Sequence, residues 1–269
     1  MIHPRRAYST LQRAAAAICL TMLVTATNAE EPAEGADEPE TSALRRLVPD
    51  REVGPADASP VPGIFRVKVG PSHVYLTTDG AYAFTGDLLD LRTGENLTER
   101  QRGRERLALL ERFPEEDLVL YPAEGREKAR LLVFTDVTCP YCRKLHEEVP
   151  ALRREGVSVG YIPFPRGGAD GKGAAELRAV WCASDRANAL DIAKGVADGE
   201  LSDATCKAGD AVAAGYRLGA RLGVRGTPTI VFPDGTVVGG YANAKALLAR
   251  LGLSPRNAVT RDSGEDRSK

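Results

Sequence analysis

The chain has 269 residues, 36 basic against 37 acidic side chains and a hydrophobic content of 43%. That near-balance excludes binding to nucleic acid through bulk positive charge, and the length allows one large domain or two small ones. Five cysteines suit a disulfide-bearing protein only if the chain leaves the reducing cytosol.

The first segment reads as an export signal. Arg5, Arg6 and Arg13 form a basic region and Ala14 to Ala26 an apolar core, with a small-residue site that predicts cleavage after Ala29. The apolar run is shorter than the roughly 20 residues that span a bilayer, so no stable membrane anchor is expected. Removing residues 1–29 takes away three arginines and Cys19, leaving 33 basic against 37 acidic residues and a net charge of −4. Cys139, Cys142, Cys182 and Cys206 remain. An even count suggests two disulfides, with three connectivities open and only the tight 139–142 spacing suggestive in itself.

Residues 30–42 carry a run of acids and read as a disordered, solvated tail. Ser59-Pro60-Val61-Pro62-Gly63 is a rigid turn, and Ile64 to Val69 alternates as a half-buried strand does. Val74 to Thr78 and Ala81 to Phe84 flank Asp79-Gly80, a hairpin signal. Residues 43–96 thus form a small α+β unit with too little chain for a generous core, a shortfall that pairing with a second copy would remedy. Thr98-Glu99-Arg100-Gln101 has capping-box spacing and opens a linker helix within 97–114, stopped by Pro114. A second domain follows over 115–253, and 254–269 is expected to be a disordered tail.

In that domain an apolar strand at 130–135 leads into Cys139-Pro140-Tyr141-Cys142, and a helix follows over 140–154. A Cys-x-x-Cys at a helix N-terminus is laid out for thiol–disulfide exchange. Unpaired backbone N–H groups favour a thiolate on the first sulfur, and the second lies one turn in. A strand at 157–163 and a loop at 166–173 come next, then helical segments at 174–183, 189–197 and 209–222. Thr227-Pro228 precedes a β-branched run and the turn Asp234-Gly235, and Ala244 to Leu251 closes the domain as a helix.

Several motifs together resemble one family. Thr135 to Glu147 around the Cys-Pro-Tyr-Cys, Phe164-Pro165-Arg166, Trp181-Cys182-Ala183, Leu222 to Pro228 and Val74 to Gly80 are similar to the DsbC/DsbG disulfide isomerases, closer to DsbC. Pro140 departs from the best-known DsbC pattern, which has Gly there; Cys-Pro-Tyr-Cys is familiar from DsbG. The resemblance implies an α/β, thioredoxin-like fold with a helical insertion, preceded by a dimerisation domain and a linker helix. It also implies a V-shaped homodimer in the periplasm whose two sites face a cleft for misfolded, disulfide-containing exported proteins, and a DsbD-type membrane electron donor. Cys139 and Cys142 would be catalytic. Pro140, Tyr141, Thr227 and Pro228 would meet substrate, with a cis bond before Pro228. Cys182 and Cys206 are expected to form an inert disulfide across the helical insert.

A zinc site at Cys139 and Cys142 would need two more ligands; His146, one helical turn on, offers a third, but the ordinary pattern brings a second close pair, which Cys182 and Cys206 are not. No metal or cofactor is expected, and His146 is assigned to a solvent edge or domain boundary. The function expected is a thiol:disulfide interchange protein that isomerises wrong disulfides, with chaperone activity. A dithiol oxidase would use the same cysteines, and a holdase would use the same cleft. The in-cell redox state of the Cys139–Cys142 pair separates isomerase from oxidase.

Overall fold

The computed structural model describes residues 39–253 except 172, 202–205 and 208–209. The segment read as an export signal, the acidic run up to residue 38 and the segment 254–269 expected as a tail lie outside the described residues.

The chain enters through helix α1 (Pro39–Leu47) and then four antiparallel strands, β1 (Val53–Ala58), β2 (Ile64–Val69), β3 (Ser72–Thr77) and β4 (Ala83–Thr85), in the order β1-β2-β3-β4. The helix corrects the expected tail over 30–42, because its last residues are already structured. Thr41 and Leu44 are buried, and Val48 packs beside Leu44 on Val53, Val67, Val69, Val74 and Leu76. The 41, 44, 48 spacing is a helical stripe, hidden in the sequence by the acidic composition before it. Strand β1 was also not expected. It carries Gly54 and Pro55 and shifts register between Val53 and Ala56, and an irregular edge is where a sheet tolerates proline.

A short hairpin of β5 (Leu89–Asp90) and β6 (Glu95–Asn96) leads into α2 (Leu97–Leu110). The capping signal sits two residues earlier than Thr98. Asn96 is the N-cap, its Oδ1 accepting the Glu99 N–H at 2.8 Å. Thr98 is instead turned inward, where its hydroxyl accepts the Leu88 N–H at 2.8 Å and meets the Tyr75 hydroxyl. The helix ends at Leu110, before the proline expected to stop it.

The second domain is a five-stranded sheet of order β11-β10-β8-β9-β7, built from β7 (Val119–Tyr121), β8 (Ala129–Thr135), β9 (Val157–Pro163), β10 (Thr229–Val231) and β11 (Val237–Gly239). Strands β8 and β9 are parallel and the other pairs antiparallel. All seven residues of β9 are buried, as expected of a strand covered on both faces. Leu131, Val133, Val159 and Tyr161 point into one apolar layer, Phe134 and Ile162 into the other. The short edge strand β7 was not expected.

The helix expected over 140–154 is two helices, α3 (Pro140–His146) and α4 (Val149–Arg154), broken at Glu147 and Glu148. Pro150 explains the break, since it has no N–H to give the carbonyl four residues back. The insertion between β9 and β10 is α5 (Ala174–Cys182), α6 (Arg186–Lys194) and α7 (Asp210–Arg221), and α8 (Ala244–Arg250) ends the domain. Trp181 is fully buried and its indole N–H donates to the Asp117 carbonyl at 2.7 Å. Cys182 and Cys206 are joined by a disulfide, with Cα atoms 5.6 Å apart. Among the described residues no helix is long and apolar enough to cross a membrane.

Helix α2 rests on the β10–β11 turn at Gly103. A Cβ there would lie 2.6 Å from the Asp234 carbonyl oxygen, and the Arg106 guanidinium donates to the Gly235 carbonyl at 2.9 Å. In an unobstructed helix interior Gly→Ala stabilises by about 1 kcal/mol, whereas overpacking costs about 1–3 kcal/mol. The clash is with backbone, so it wins. Urea unfolding should therefore find Gly103→Ala less stable than wild type, by up to about 2 kcal/mol; a stabilised variant would show that the helix does not bear on this turn.

Candidate active site

The site is assembled by strand register. Strand β8 ends at Thr135, and β10 pairs with it so that Thr229 lies opposite Phe134. The segment before β10 must then cross just beyond the end of β8, where the Cys-x-x-Cys begins. Thr227-Pro228 is a cis peptide, and the loop is fastened by Thr229 Oγ1 donating to the Gly226 carbonyl at 2.7 Å and Gly240 N–H donating to the Pro228 carbonyl at 2.7 Å.

Between Thr135 and Cys139 the chain is shaped by Asp136, which is buried. Its Oδ1 accepts the Thr138 N–H at 2.8 Å, and its Oδ2 accepts the Arg166 N–H at 2.9 Å and Nε–H at 3.1 Å. Burial pushes this carboxyl up, but the donors from Arg166 and Thr138 hold it below its ordinary value. Cys139 follows as the N-cap of α3, with Pro140 in the first turn, where a missing N–H costs nothing.

Cys139 and Cys142 are reduced and buried. Cys139 Sγ donates to the Thr227 carbonyl at 3.2 Å. The Thr227 hydroxyl is buried without a hydrogen-bond partner, so a thiolate beside it would supply an acceptor. Burial pushes the Cys139 thiol up, but Thr227, the backbone N–H groups of Cys142 and Tyr141, and the Cys142 thiol overcome it and leave it below its ordinary value. Cys142 goes the other way. Burial raises it, and the nearby Lys194 charge offsets this only in part. Tyr141 stands out from the pair, 61% exposed. A cavity of about 420 Å³ adjoins the Thr227 loop, lined by Phe134, Val224, Thr227, Thr229, Val237 and Arg106 among others.

Beneath the cysteines is a polar interior that the sequence reading missed. His146 is not at a solvent edge. It is buried, with Nδ1 accepting from the Tyr161 hydroxyl at 3.0 Å and Nε2 donating to Asp191 Oδ1 at 2.8 Å. Burial and then the Lys194 charge lower it to about 4, against the pull of Asp191. Lys194 is buried too, and its Nζ donates to Thr135 Oγ1 at 2.8 Å. A signal was present for both. His146 is four residues beyond Cys142 on the same helix, and Lys194 continues the apolar stripe of Ala187 and Leu190. Among the described residues no group of His, Cys, Asp and Glu side chains is placed to hold a metal.

Comparison with known proteins gives a consistent neighbourhood. The thioredoxin-like domain family matches residues 114–253, and the disulfide bond isomerase protein N-terminal domain family matches residues 30–99. The chain is similar to thiol:disulfide interchange protein DsbC of Dickeya dadantii, 38% identical over 195 residues covering 72% of this chain and 78% of that one. DsbC of Escherichia coli K12 is 32% identical over 217 residues, covering 79% and 88%. Among solved structures, a disulfide interchange protein from Neisseria gonorrhoeae is 27% identical, covers 52% of this chain and 96% of that one, and has a TM-score of 0.45.

The buried histidine makes stability depend on pH with a definite sign. Its folded value of about 4 lies below the ordinary 6.5, so the unfolded chain takes up the proton first as pH falls. The contribution is fully present above pH 6.5 and is lost on the way down to about 4. At about 1.4 kcal/mol per unit this is on the order of 3 kcal/mol. Denaturation midpoints should fall across that window in wild type and much less in His146→Gln. An equally steep fall in the variant would assign the pH dependence to other groups.

Proposed function

This chain belongs to the DsbC family of thiol:disulfide interchange proteins, and from that premise we propose that it isomerises wrong disulfides in exported proteins with Cys139 as nucleophile and Cys142 as resolving thiol. The observation that carries these roles is the opposed setting of the two sulfurs. Cys139 is held below its ordinary value by hydrogen bonds at the helix start, and Cys142 above it by burial. The thiolate is the attacking species, so Cys139 reacts first. Its sulfur bonds to one client sulfur, and the other leaves as a thiolate. That thiolate then attacks a further client bond, or Cys142 attacks Cys139 and frees a reduced client.

Thr227 and Pro228 stand on the far side of Cys139 and would receive the client backbone, with Pro140 and Tyr141 at the near edge. The apolar cavity beside Thr227 offers room for a client side chain. The disulfide between Cys182 and Cys206 is assigned a structural role, tying the end of α5 to the segment before α7. We assign residues 39–96 to dimerisation, 97–114 to the linker and 115–253 to catalysis. Exposed Tyr82 and Phe84 at strand β4 and Leu91 in the following hairpin support a homodimer, since an uncovered apolar strand edge recruits a partner. Two sites around one cleft would hold unfolded chains as a chaperone does. The export signal read at residues 1–29 supports a periplasmic location. Repeated turnover needs the pair kept reduced, by a DsbD-type membrane donor.

Cys142→Ser, which cannot resolve, should accumulate mixed disulfides with exported proteins through Cys139 on non-reducing gels, and Cys139→Ser should accumulate none. Equal trapping by the two variants would remove the assigned roles. Sedimentation of the full-length protein at micromolar concentration should give a dimer, and Tyr82→Asp with Leu91→Asp a monomer. A wild-type monomer would contradict the dimer assignment.

A further inference from the structure

The release step makes a demand that the first attack does not. Cys142 is fully buried, yet it must shed its proton and carry negative charge out of contact with water. The side chain placed to meet this is Lys194, the last residue of α6. It is 3% exposed, its Nζ donates to Thr135 Oγ1 at 2.8 Å and it lies 5.4 Å from the Tyr161 ring centroid. Among the described residues its nitrogen has no carboxylate within ion-pair distance. A buried ammonium with no countercharge is strongly disfavoured, so its presence there calls for an anion.

The groups that face Lys194 identify that anion. From α3 and its cap come Cys142, Cys139, Arg143 and His146; from the loop after β8, Asp136; from β9, Tyr161. Asp136 is already committed to Arg166 and Thr138. His146 is bonded to Tyr161 and Asp191. Arg143 carries the same sign as Lys194, and its Nε donates to the Val137 carbonyl. Cys139 turns to Thr227. Cys142 is the group left without a countercharge. Burial lowers Lys194 to about 8, and among the opposing influences a Cys142 thiolate is the largest.

We propose that Lys194 is a positioning residue for client release, its buried ammonium stabilising the thiolate that Cys142 must become beneath the mixed disulfide. This rests on the roles assigned above to Cys139 and Cys142. The Cys142 thiolate attacks Cys139 Sγ, the Cys139–Cys142 bond forms and the Cys139–client bond breaks. The client sulfur leaves with the electron pair and takes up the proton Cys142 gave up, so the client is reduced and the enzyme dithiol oxidised. Lys194 keeps its own proton throughout. The charge therefore sets how long a client stays attached, and with it the balance between rearranging a client and reducing it.

The test uses full-length enzyme carrying glutathione on Cys139, with glutathione release followed by stopped flow from pH 6 to pH 11. If rate follows the thiolate fraction, Lys194→Met should move the midpoint of release up by about one pH unit and slow release at pH 7 about tenfold. The midpoint for alkylation of Cys139 should move less. Thr135→Val, which keeps the charge but frees the ammonium from its tether, should shift release in the same direction by less. In wild type, NMR titration of the Lys194 ε-methylene should give a higher midpoint in the reduced protein than in the disulfide form, a readout that does not depend on any variant folding. A folded Lys194→Met with an unchanged release profile, or one Lys194 midpoint in both redox states, overturns the proposal. Glutathione release from Cys142→Ser at the wild-type rate would instead overturn the resolving role of Cys142 on which it rests.

Discussion

The contact between Cys139 Sγ and the Thr227 carbonyl joins segments 88 residues apart, and the chemistry depends on its being made. Nothing local to either segment can bring them together. The pairing of β10 with β8 does so, because a register that sets Thr229 opposite Phe134 leaves the preceding two residues at the mouth of the Cys-x-x-Cys. A one-residue slip would turn every β10 side chain to the opposite face. It would drive Ile230 out of one apolar layer and Val231 out of the other. The apolar core thus guards the reactive geometry, although no core residue takes part in the reaction.

Beneath that contact the interior is polar to a degree that needs explaining. Asp136, His146, Tyr161 and Lys194 are all buried, and each would be costly alone. They are affordable because they are connected. Asp136 takes donors from two segments, and the neutral imidazole of His146 accepts from Tyr161 while donating to Asp191. Tyr121 reaches the same carboxylate, its hydroxyl 2.5 Å from Asp191 Oδ1. Only Lys194 lacks a fixed anion, and a sulfur that is sometimes negative fits that vacancy. A network of this kind fixes the position of α3 over the sheet and places charge where a thiolate forms.

How much could be read in advance followed from how local each cause was. The Cys-x-x-Cys, the alternation of β2, the β8 and β9 runs and the Asp79-Gly80 and Asp234-Gly235 turns are carried by neighbouring residues, and they stand where the sequence placed them. Helix α1 was hidden because acidic composition outweighed a three-residue stripe. Strand β1 was hidden because Gly54 and Pro55 argue against a strand unless a bulged edge is foreseen. The break between α3 and α4 was announced by Pro150, and the run of good helix formers before it concealed the signal. Thr98 looked like a cap because its partner Tyr75 lies 23 residues away. His146 and Lys194 were misjudged or missed for a similar reason: their meaning lies in what other elements present to them, and one sequence does not record that.

The assigned roles require the two cysteines to be unequal before any client arrives. Alkylation of the reduced wild-type protein across pH, with mass-spectrometric localisation of the adduct, measures this directly. Cys139 should be modified first, with a midpoint below the ordinary thiol value of 9.0, and Cys142 should resist to higher pH. Equal midpoints, or Cys142 reacting first, would contradict the assignment of nucleophile and resolving thiol.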